Sequence, residues 1–199
     1  MASWKIDPAH TDISFSATHM MVTTVRGKFH SVGGEVALDE TDPPASRAEI
    51  TIDAASISTG FAARDQHLRS PDFLDVQQFP AIRFVTTRIA ALSDERFRID
   101  GELTIRDASR PVTFDADFLG FYTGLKGGRR AGFRASLEIN RRDWGLAWNV
   151  ALEKGGWLVG DQIGIALDVA LEEAVVAADE SPSGATPAPE ATREPAAVS

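Results

Sequence analysis

Apolar and polar residues alternate along most of this chain, which is the pattern of strands with one buried face. Phe15, Ala17 and His19 alternate with serine and threonine in the first clear example, and a period of two residues is that of a half-buried β-strand. The same alternation recurs in seven further segments. We predict strands at about 11–19, 25–38, 47–53, 82–86, 97–105, 112–118, 133–139 and 163–171, with a shorter one at 4–6.

Residues 60–80 are the one stretch whose apolar spacing fits a helix. Phe61 and Leu68 lie seven residues apart and share a face at about 100° per residue. Ser70 followed by Pro71 has the chemistry of a second helix start, so we predict two short helices within about 60–76. The apolar residues expected to attach this segment to the strands are Phe61, Leu68, Phe73 and Leu74.

One short helical segment cannot cover the apolar faces of about eight strands, so the sheet must cover itself, as a sandwich or a closed barrel. Gly33-Gly34 lies inside a predicted strand and favours the curved, closed form through a bulge or bend. An eight-stranded barrel either fills its interior with side chains or holds one small ligand, and periodicity leaves both open. The inward-facing candidates for contact with a ligand are Phe15, Ala17, His19, Phe29, Phe84, Phe97, Ile99, Phe114, Phe118, Phe133 and Leu137.

Composition narrows the class of protein. The chain has 199 residues, no cysteine and a formal net charge of −9, so thiolate chemistry is excluded and a nucleic-acid partner is disfavoured. The arginine pairs at 129–130 and 141–142 fall in predicted turns, where we expect them to be solvated. No run of 18 apolar residues and no secretory signal pattern occurs, which predicts a cytoplasmic protein without stable membrane insertion.

The composition changes abruptly near residue 174. From there to residue 199 the chain is rich in alanine, proline and glutamate and contains no aromatic residue. Such a segment cannot bury enough apolar surface to offset its ordering entropy. We therefore predict one domain over residues 1–173 and a disordered tail over 174–199.

Candidate catalytic chemistry is sparse. The chain has no Gly-x-Ser-x-Gly motif, and its histidines lack the close spacing of a zinc site, so we predict no catalytic residue, metal or cofactor. His19 at the end of an inward face either makes a structural hydrogen bond or contacts the head group of a ligand. Trp144 and Trp148 either gate the end of a barrel or simply cover it.

Arg64 and Asp65 lie on the apolar side of the first predicted helix, and charges directed at a core need partners. Asp65 can pair with Arg69 at i,i+4, and Ser70 and Asp72 can cap the following turn. Two roles therefore remain open for Arg64, Asp65 and Arg69: a structural network, or binding of a ligand head group.

Several separated motifs follow one another between residues 3 and 173. They are Trp4-Lys-Ile-Asp-Pro-Ala-His10, Phe15 to His19, Val25-Arg-Gly-Lys-Phe29, Arg64-Asp-Gln-His-Leu-Arg-Ser-Pro-Asp-Phe-Leu-Asp75, Phe79-Pro-Ala-Ile-Arg-Phe84, Gly101-Glu-Leu-Thr-Ile-Arg-Asp107, Pro111-Val, Asn140-Arg-Arg-Asp-Trp-Gly-Leu146 and Val159-Gly-Asp161. In this combination the chain resembles the YceI-like family of lipocalin-like, polyisoprenoid-binding proteins. The resemblance implies an eight-stranded antiparallel lipocalin-like barrel with a helical segment at its side, and a long apolar chain such as an isoprenoid inside. Members are often found as dimers, so it also implies a homodimer.

The family is not defined by a catalytic motif, so the resemblance supplies no catalytic residues. The expected function is non-enzymatic binding, transport or storage of a long-chain isoprenoid or a similar amphiphilic lipid. The alternative is a protein-interaction or stress-response scaffold with a filled barrel. A third reading, an enzyme acting on a bound lipid, needs a polar pair inside the barrel, where His19 is the one inward candidate.

Overall fold

The computed structural model describes residues 2–124 and 127–174. These residues form one α-helix, α1 (Ala62–Arg69), and short 3-10 helices at Pro43–Ala45, Ala54–Ser56 and Arg141–Trp144. The strands are β1 (Ala2–Ile6), β2 (Asp12–His19), β3 (Thr23–Phe29), β4 (Val32–Leu38), β5 (Arg47–Asp53), β6 (Ile57–Ser58), β7 (Ala81–Ala91), β8 (Arg96–Ile105), β9 (Ala108–Thr123), β10 (Arg129–Asn140) and β11 (Val159–Glu173). The predicted tail lies outside the described residues except for Ala174, whose amide donates to the carbonyl oxygen of Ser3 at 2.8 Å.

Eight of the strands close into a barrel by antiparallel pairing. β1 pairs with β4 on one side and with the last residues of β11 on the other, so that Trp4 lies opposite both Val36 and Glu173. The order around the ring is β1, β4, β5, β7, β8, β9, β10, β11, while β2, β3 and β6 extend from the earlier part of β11. This closure confirms the predicted eight-stranded antiparallel barrel and leaves no unpaired edge around the ring.

The strand predicted at 25–38 is in fact two strands. β3 pairs with β2 and β6, whereas β4 pairs with β1 and β5. The Gly33-Gly34 pair therefore lies within β4 and does not form a bulge in a longer strand. Gly34 has a φ of 151°, and a Cβ at this position would lie 2.2 Å from the carbonyl oxygen of Glu49. The absence of a side chain at Gly34 thus permits the close approach of β4 to β5.

Only the first of the two predicted helices forms. α1 ends at Arg69, and the chain makes turns between residues 71 and 78. The Ser70 hydroxyl donates to the carbonyl oxygen of His67 at 2.7 Å, so it does not cap a second helix. The amide of Leu74 donates to the carbonyl oxygen of Leu68 at 3.0 Å. The turn therefore supplies hydrogen-bond donors to the last carbonyl groups of α1. In a longer helix, amides of the next helical turn would donate to these groups.

The apolar residues of this segment divide between core and surface. Phe73 and Leu74 are buried and Leu68 packs against them, as predicted. Phe61, expected to be buried as well, is 61% exposed, with the guanidinium of Arg64 5.7 Å from the centre of its ring. Since Phe61 immediately precedes α1, the 100° spacing of a helix does not fix the direction of its side chain.

Buried side chains form two clusters at opposite ends of β10 and β11. The Trp4 cluster contains Trp4, Ile6, Ile13, Val32, Val36, Ala131 and Leu171. The Trp144 cluster contains Ala54, Ile57, Phe73, Leu74, Val76, Ile82, Leu103, Ile105, Ile139, Trp144 and Leu146. Within the described residues no helix is long and apolar enough to cross a membrane.

Candidate ligand-binding site

A cavity of about 350 Å³ lies between the inward faces of the strands, a volume within the range of small-molecule binding sites. Its wall is almost entirely apolar. The lining residues with polar or charged side chains are Ser14, Thr18, His19, Arg64, His67 and Arg141. Apart from Ser14, these come from α1, the end of β2 and the 3-10 helix that follows β10, so the cavity has one polar end.

Seven of the predicted interior residues line this cavity, and their aromatic rings pack in pairs. The ring centres of Phe15 and Phe29 are 5.8 Å apart, and those of Phe84 and Phe114 are 5.6 Å apart. The seven are Phe15, Ala17, His19, Phe29, Phe84, Phe114 and Leu137. That these side chains contact a ligand stays a prediction.

The other four predicted residues, Phe97, Ile99, Phe118 and Phe133, do not line the cavity. Phe118 and Phe133 stack 5.2 Å apart and pack against the Trp4 cluster. Along β8 the cavity wall consists of Leu103 and Ile105, and it stops where the ring of Phe84 covers Gly101. Contact of these four side chains with a ligand stays a prediction, because alternation identifies the face of a strand but not how far along it a cavity extends.

Arg64 is the charged residue of α1 that reaches the cavity. Its Nε donates to the hydroxyl of Thr59 at 2.7 Å and its Nη2 to the carbonyl oxygen of the same residue at 3.1 Å. Within the described part of the chain, Nη1 has no hydrogen-bond partner. The guanidinium is therefore held in place through one side and keeps one nitrogen available to a ligand.

Asp65 is the buried residue of α1 but does not line the cavity. Its carboxylate accepts hydrogen bonds from the amide of Thr59 at 2.8 Å, from the Thr59 hydroxyl at 2.5 Å and from the Ser58 hydroxyl at 3.3 Å. These bonds hold the corner between β6 and α1, where the position of Arg64 is set. Asp65 is thus a structural residue of this corner.

Arg69 holds the same corner from the other end of α1. Its Nε donates to the carbonyl oxygen of Ala55 at 2.7 Å and its Nη2 to that of Ile57 at 2.5 Å. The predicted direct pair between Asp65 and Arg69 is therefore replaced by contacts of each residue with the segment that precedes α1. Of the three charged residues, only Arg64 lies at the cavity wall.

The two histidines at the polar end differ in their contacts. His67 lines the cavity, with its ring edge-on to Trp148 at 4.5 Å and to Phe73 at 5.1 Å. Its Nε2 lies 2.9 Å from a carboxylate oxygen of Asp72, which was expected to cap a turn. His19 makes no side-chain hydrogen bond within residues 2–124 and 127–174, so its ring is open to the cavity.

Arg141 was missed by the sequence prediction, which treated it as a solvated residue of a turn. Its side chain is 4% exposed and lines the cavity. Burial lowers the pKa of Arg141 below its usual value, and the carboxylate of Asp161 opposes that shift. Its five N–H groups donate to the carbonyl oxygens of Leu146, Trp148, Val159 and Gly160 and to the carboxylate of Asp161. Because all of these donors are engaged, Arg141 shapes the cavity end and has no free donor for a ligand.

Comparison with known proteins identifies the family. Residues 4–171 match the YceI-like domain. The chain belongs to the YceI-like family. Protein YceI of Salmonella newport (strain SL254) is 35% identical over 147 residues, which cover 73% of this chain and 76% of that protein.

Two solved structures share the YceI-like fold of this chain. BcnA of Burkholderia cenocepacia superposes with a TM-score of 0.70 at 22% identity, covering 83% of this chain and 98% of that one. A polyisoprenoid binding domain from Saccharophagus degradans, implicated in plant cell wall breakdown, superposes with a TM-score of 0.66 at 12% identity. That alignment covers 87% of this chain and the whole of the other.

The two tryptophans of this YceI-like barrel have different places. Trp144 is 3% exposed and its Nε1 donates to the carbonyl oxygen of Leu103 at 2.9 Å, so it covers the end of the barrel from within the core. Trp148 is partly buried and forms part of the cavity wall beside His67. Across the described ranges no group of three or more His, Asp or Glu side chains could hold a metal ion.

Asp65 should make the stability of this YceI-like protein depend on acidity. Burial raises its pKa, but the hydrogen bonds from Thr59 and Ser58 and the charge of Arg69 outweigh burial, so the pKa lies below the usual 3.8. A carboxylate whose pKa is lowered by folding contributes stability above its unfolded pKa and loses it as the pH falls through the folded value. We expect Asp65→Asn to flatten the fall in melting temperature between about pH 5 and pH 2.

Differential scanning calorimetry of the wild type and the variant across this pH range measures the effect. Asp107→Asn, at an exposed turn, is the matched control and should keep the wild-type slope. Equal slopes for Asp65→Asn and the wild type would contradict the assignment.

Proposed function

We propose that this YceI-like protein binds a long-chain isoprenoid or a similar amphiphilic lipid inside its barrel and transports or stores it without catalysing a reaction. The observation that carries this proposal is the apolar cavity of about 350 Å³ within a closed sheet. An apolar chain offers no polar contacts, and burial of its surface, at about 25 cal/mol per Å², is the available driving force. An apolar wall with one polar end suits such a molecule.

The polar groups favour one orientation of the lipid. The tail would lie against Phe15, Phe84 and Phe114, and the head group at the end that contains Arg64 and His19. Nη1 of Arg64 and the ring of His19 are free to donate to an oxygen-rich or anionic head group. Asp65 and Arg69 support this arrangement by fixing the corner that carries Arg64.

The composition of the cavity wall supports binding over catalysis. Among the residues that the structure describes, those lining the cavity include no aspartate or glutamate, and their hydroxyls are those of Ser14 and Thr18. General acid–base or nucleophilic chemistry needs a positioned pair of groups, and His19 makes no hydrogen bond to another side chain within the described residues. His67 does pair with Asp72, but that carboxylate does not line the cavity. The filled-barrel scaffold considered above requires an interior without such a cavity. The homodimer and the cytoplasmic location expected from the sequence stay predictions.

Gentle purification followed by organic extraction and mass spectrometry tests the proposal. We expect about one lipid per protein, released only after the barrel unfolds or the lipid is extracted. Protein stripped of lipid should take up a polyprenol added in detergent, which native mass spectrometry would detect as a mass increase. A protein that is reproducibly empty and takes up no polyprenol would overturn the proposed function.

A further inference from the structure

Two neighbouring loop tips expose apolar side chains beside the polar end of the cavity. One tip is the turn between β2 and β3, where Val22 is 83% exposed. The other is the loop of residues 149–158, where Trp157 is 52% exposed. We call this the tip surface, and its exposed apolar residues are Met20, Met21, Val22, Val150 and Trp157.

The two tips are held against each other. The amide of Met20 donates to the carbonyl oxygen of Leu158 at 2.8 Å, and the amide of Leu158 donates to that of Val150 at 2.9 Å. Met21 lies over Gly156, since a Cβ atom added to Gly156 would be 3.1 Å from the Cγ of Met21. The tip surface is therefore a preformed feature of the fold.

The backbone of the first tip is strained to present its side chains. Met20 and Met21 have φ values of 51° and 65°, in the left-handed region that non-glycine residues rarely adopt. Glycine and asparagine adopt such left-handed positions of a hairpin turn with less strain. Methionine at both positions costs conformational energy, which points to a use for the exposed side chains.

The tip surface is continuous with the cavity wall. His19 lines the cavity and directly precedes Met20, while Leu158 lines the cavity and directly follows Trp157. At the same end, the side chain of His67 lines the cavity and is still 38% exposed. The cavity therefore reaches the protein surface beside these tips.

We infer that the tip surface inserts into the lipid bilayer from which the cavity takes up its lipid, or to which it returns it. This inference rests on the proposed function, because a carrier of an apolar molecule must exchange that molecule with a membrane. Tryptophan is enriched at membrane–water interfaces, and the exposed methionine and valine side chains can enter the acyl region below. Direct contact spares the lipid a passage through water.

Charge and size favour a bilayer over a protein partner. The first tip carries no charge and the second carries Glu153 and Lys154, which cancel, in a chain with a formal charge of −9. Docking should therefore depend on apolar insertion and not on attraction to anionic lipids. A stable protein interface buries about 800 Å² on each partner and involves roughly 20–30 residues a side, far more than five side chains on two tips provide.

Binding of the full chain to phosphatidylcholine vesicles tests the inference. We expect co-sedimentation with the vesicles, a blue shift of tryptophan emission and protection of Trp157 from an aqueous quencher, with little dependence on salt. The double variant Met21→Asn and Val22→Asp, which relieves backbone strain and keeps Trp157 as a probe, should bind about tenfold more weakly or less. Leu92→Asp adds the same charge at another exposed apolar residue and should bind as the wild type does.

Each contrary result overturns the inference. These results are wild-type protein that stays unbound, binding only to phosphatidylglycerol vesicles with loss at high salt, or equal binding by the double variant. The double variant should still take up polyprenol from detergent, because its cavity is unchanged, but should acquire it more slowly from vesicles. A wild type that binds vesicles but takes up no lipid would instead refute the proposed function.

Discussion

Arg141→Ala should unfold at a much lower temperature than the wild type. The substitution leaves the carbonyl oxygens of Leu146, Trp148 and Gly160 without their donor, and each unsatisfied buried group costs about 1–3 kcal/mol. We expect a loss of about 3–5 kcal/mol in the free energy of unfolding, which for a domain of this size lowers the melting temperature by about 10 °C or more. Thermal unfolding followed by circular dichroism measures this loss.

Arg142→Ala is the matched control from the next position in the chain. Arg142 pairs with the same carboxylate, that of Asp161, but its side chain is 43% exposed, and surface ion pairs contribute at most about 1 kcal/mol. Its removal should lower the melting temperature by a few degrees at most. Equal losses in the two variants would mean that Arg141 does not organise the end of the barrel.

Phe114→Arg should abolish lipid uptake. Phe114 lines the apolar part of the cavity beside Phe84. A guanidinium there would both occupy the space of the tail and lack a carboxylate partner, since no acidic residue of the described ranges lines the cavity. An unpaired charge in such a site costs several kcal/mol. Uptake of polyprenol by stripped protein, followed by native mass spectrometry, measures the result.

Two further variants separate loss of uptake from loss of folding. Thr113→Arg places the same side chain on the outward face of β9, opposite Asp100, and should leave uptake and stability close to wild type. Ala17→Phe fills the cavity without adding charge, and we expect a folded protein with reduced uptake. Wild-type uptake by both Phe114→Arg and Ala17→Phe would show that the lipid does not occupy this cavity.

The alternation of apolar residues was sufficient to predict the barrel and the inward direction of Phe15, Phe84 and Phe114. A side-chain period of two residues is a local property of a strand, so it can be determined from the sequence. The same property identifies the strand face of Phe118 and Phe133 but not their distance from the cavity. They lie beside a register shift between Gly132 and Phe133 and pack at the Trp4 end of the barrel, which depends on how distant strands meet.

The residues near the polar end of the cavity were harder to predict, because their conformation depends on contacts that the local pattern does not reveal. Arg141 is buried because carbonyl groups of the loop at 146–160 surround it, and nothing in the turn that contains it reveals their position. The start signal at Ser70-Pro71 is chemically sound for a helix, but hydrogen bonds to the end of α1 stabilise a turn instead. A contact with a distant loop decided the conformation of Arg141, and hydrogen bonds back to the preceding helix decided that of Ser70.

The position of β1 between β4 and β11 also determines when the cavity can come into existence. Trp4 must meet Glu173, so ring closure joins residues from opposite ends of the domain, which makes folding slow relative to domains built from local contacts. At a synthesis rate of about 5–20 residues per second, roughly 10–30 s separate the emergence of β1 from that of the end of β11. The cavity is therefore complete only after the last strand has left the ribosome.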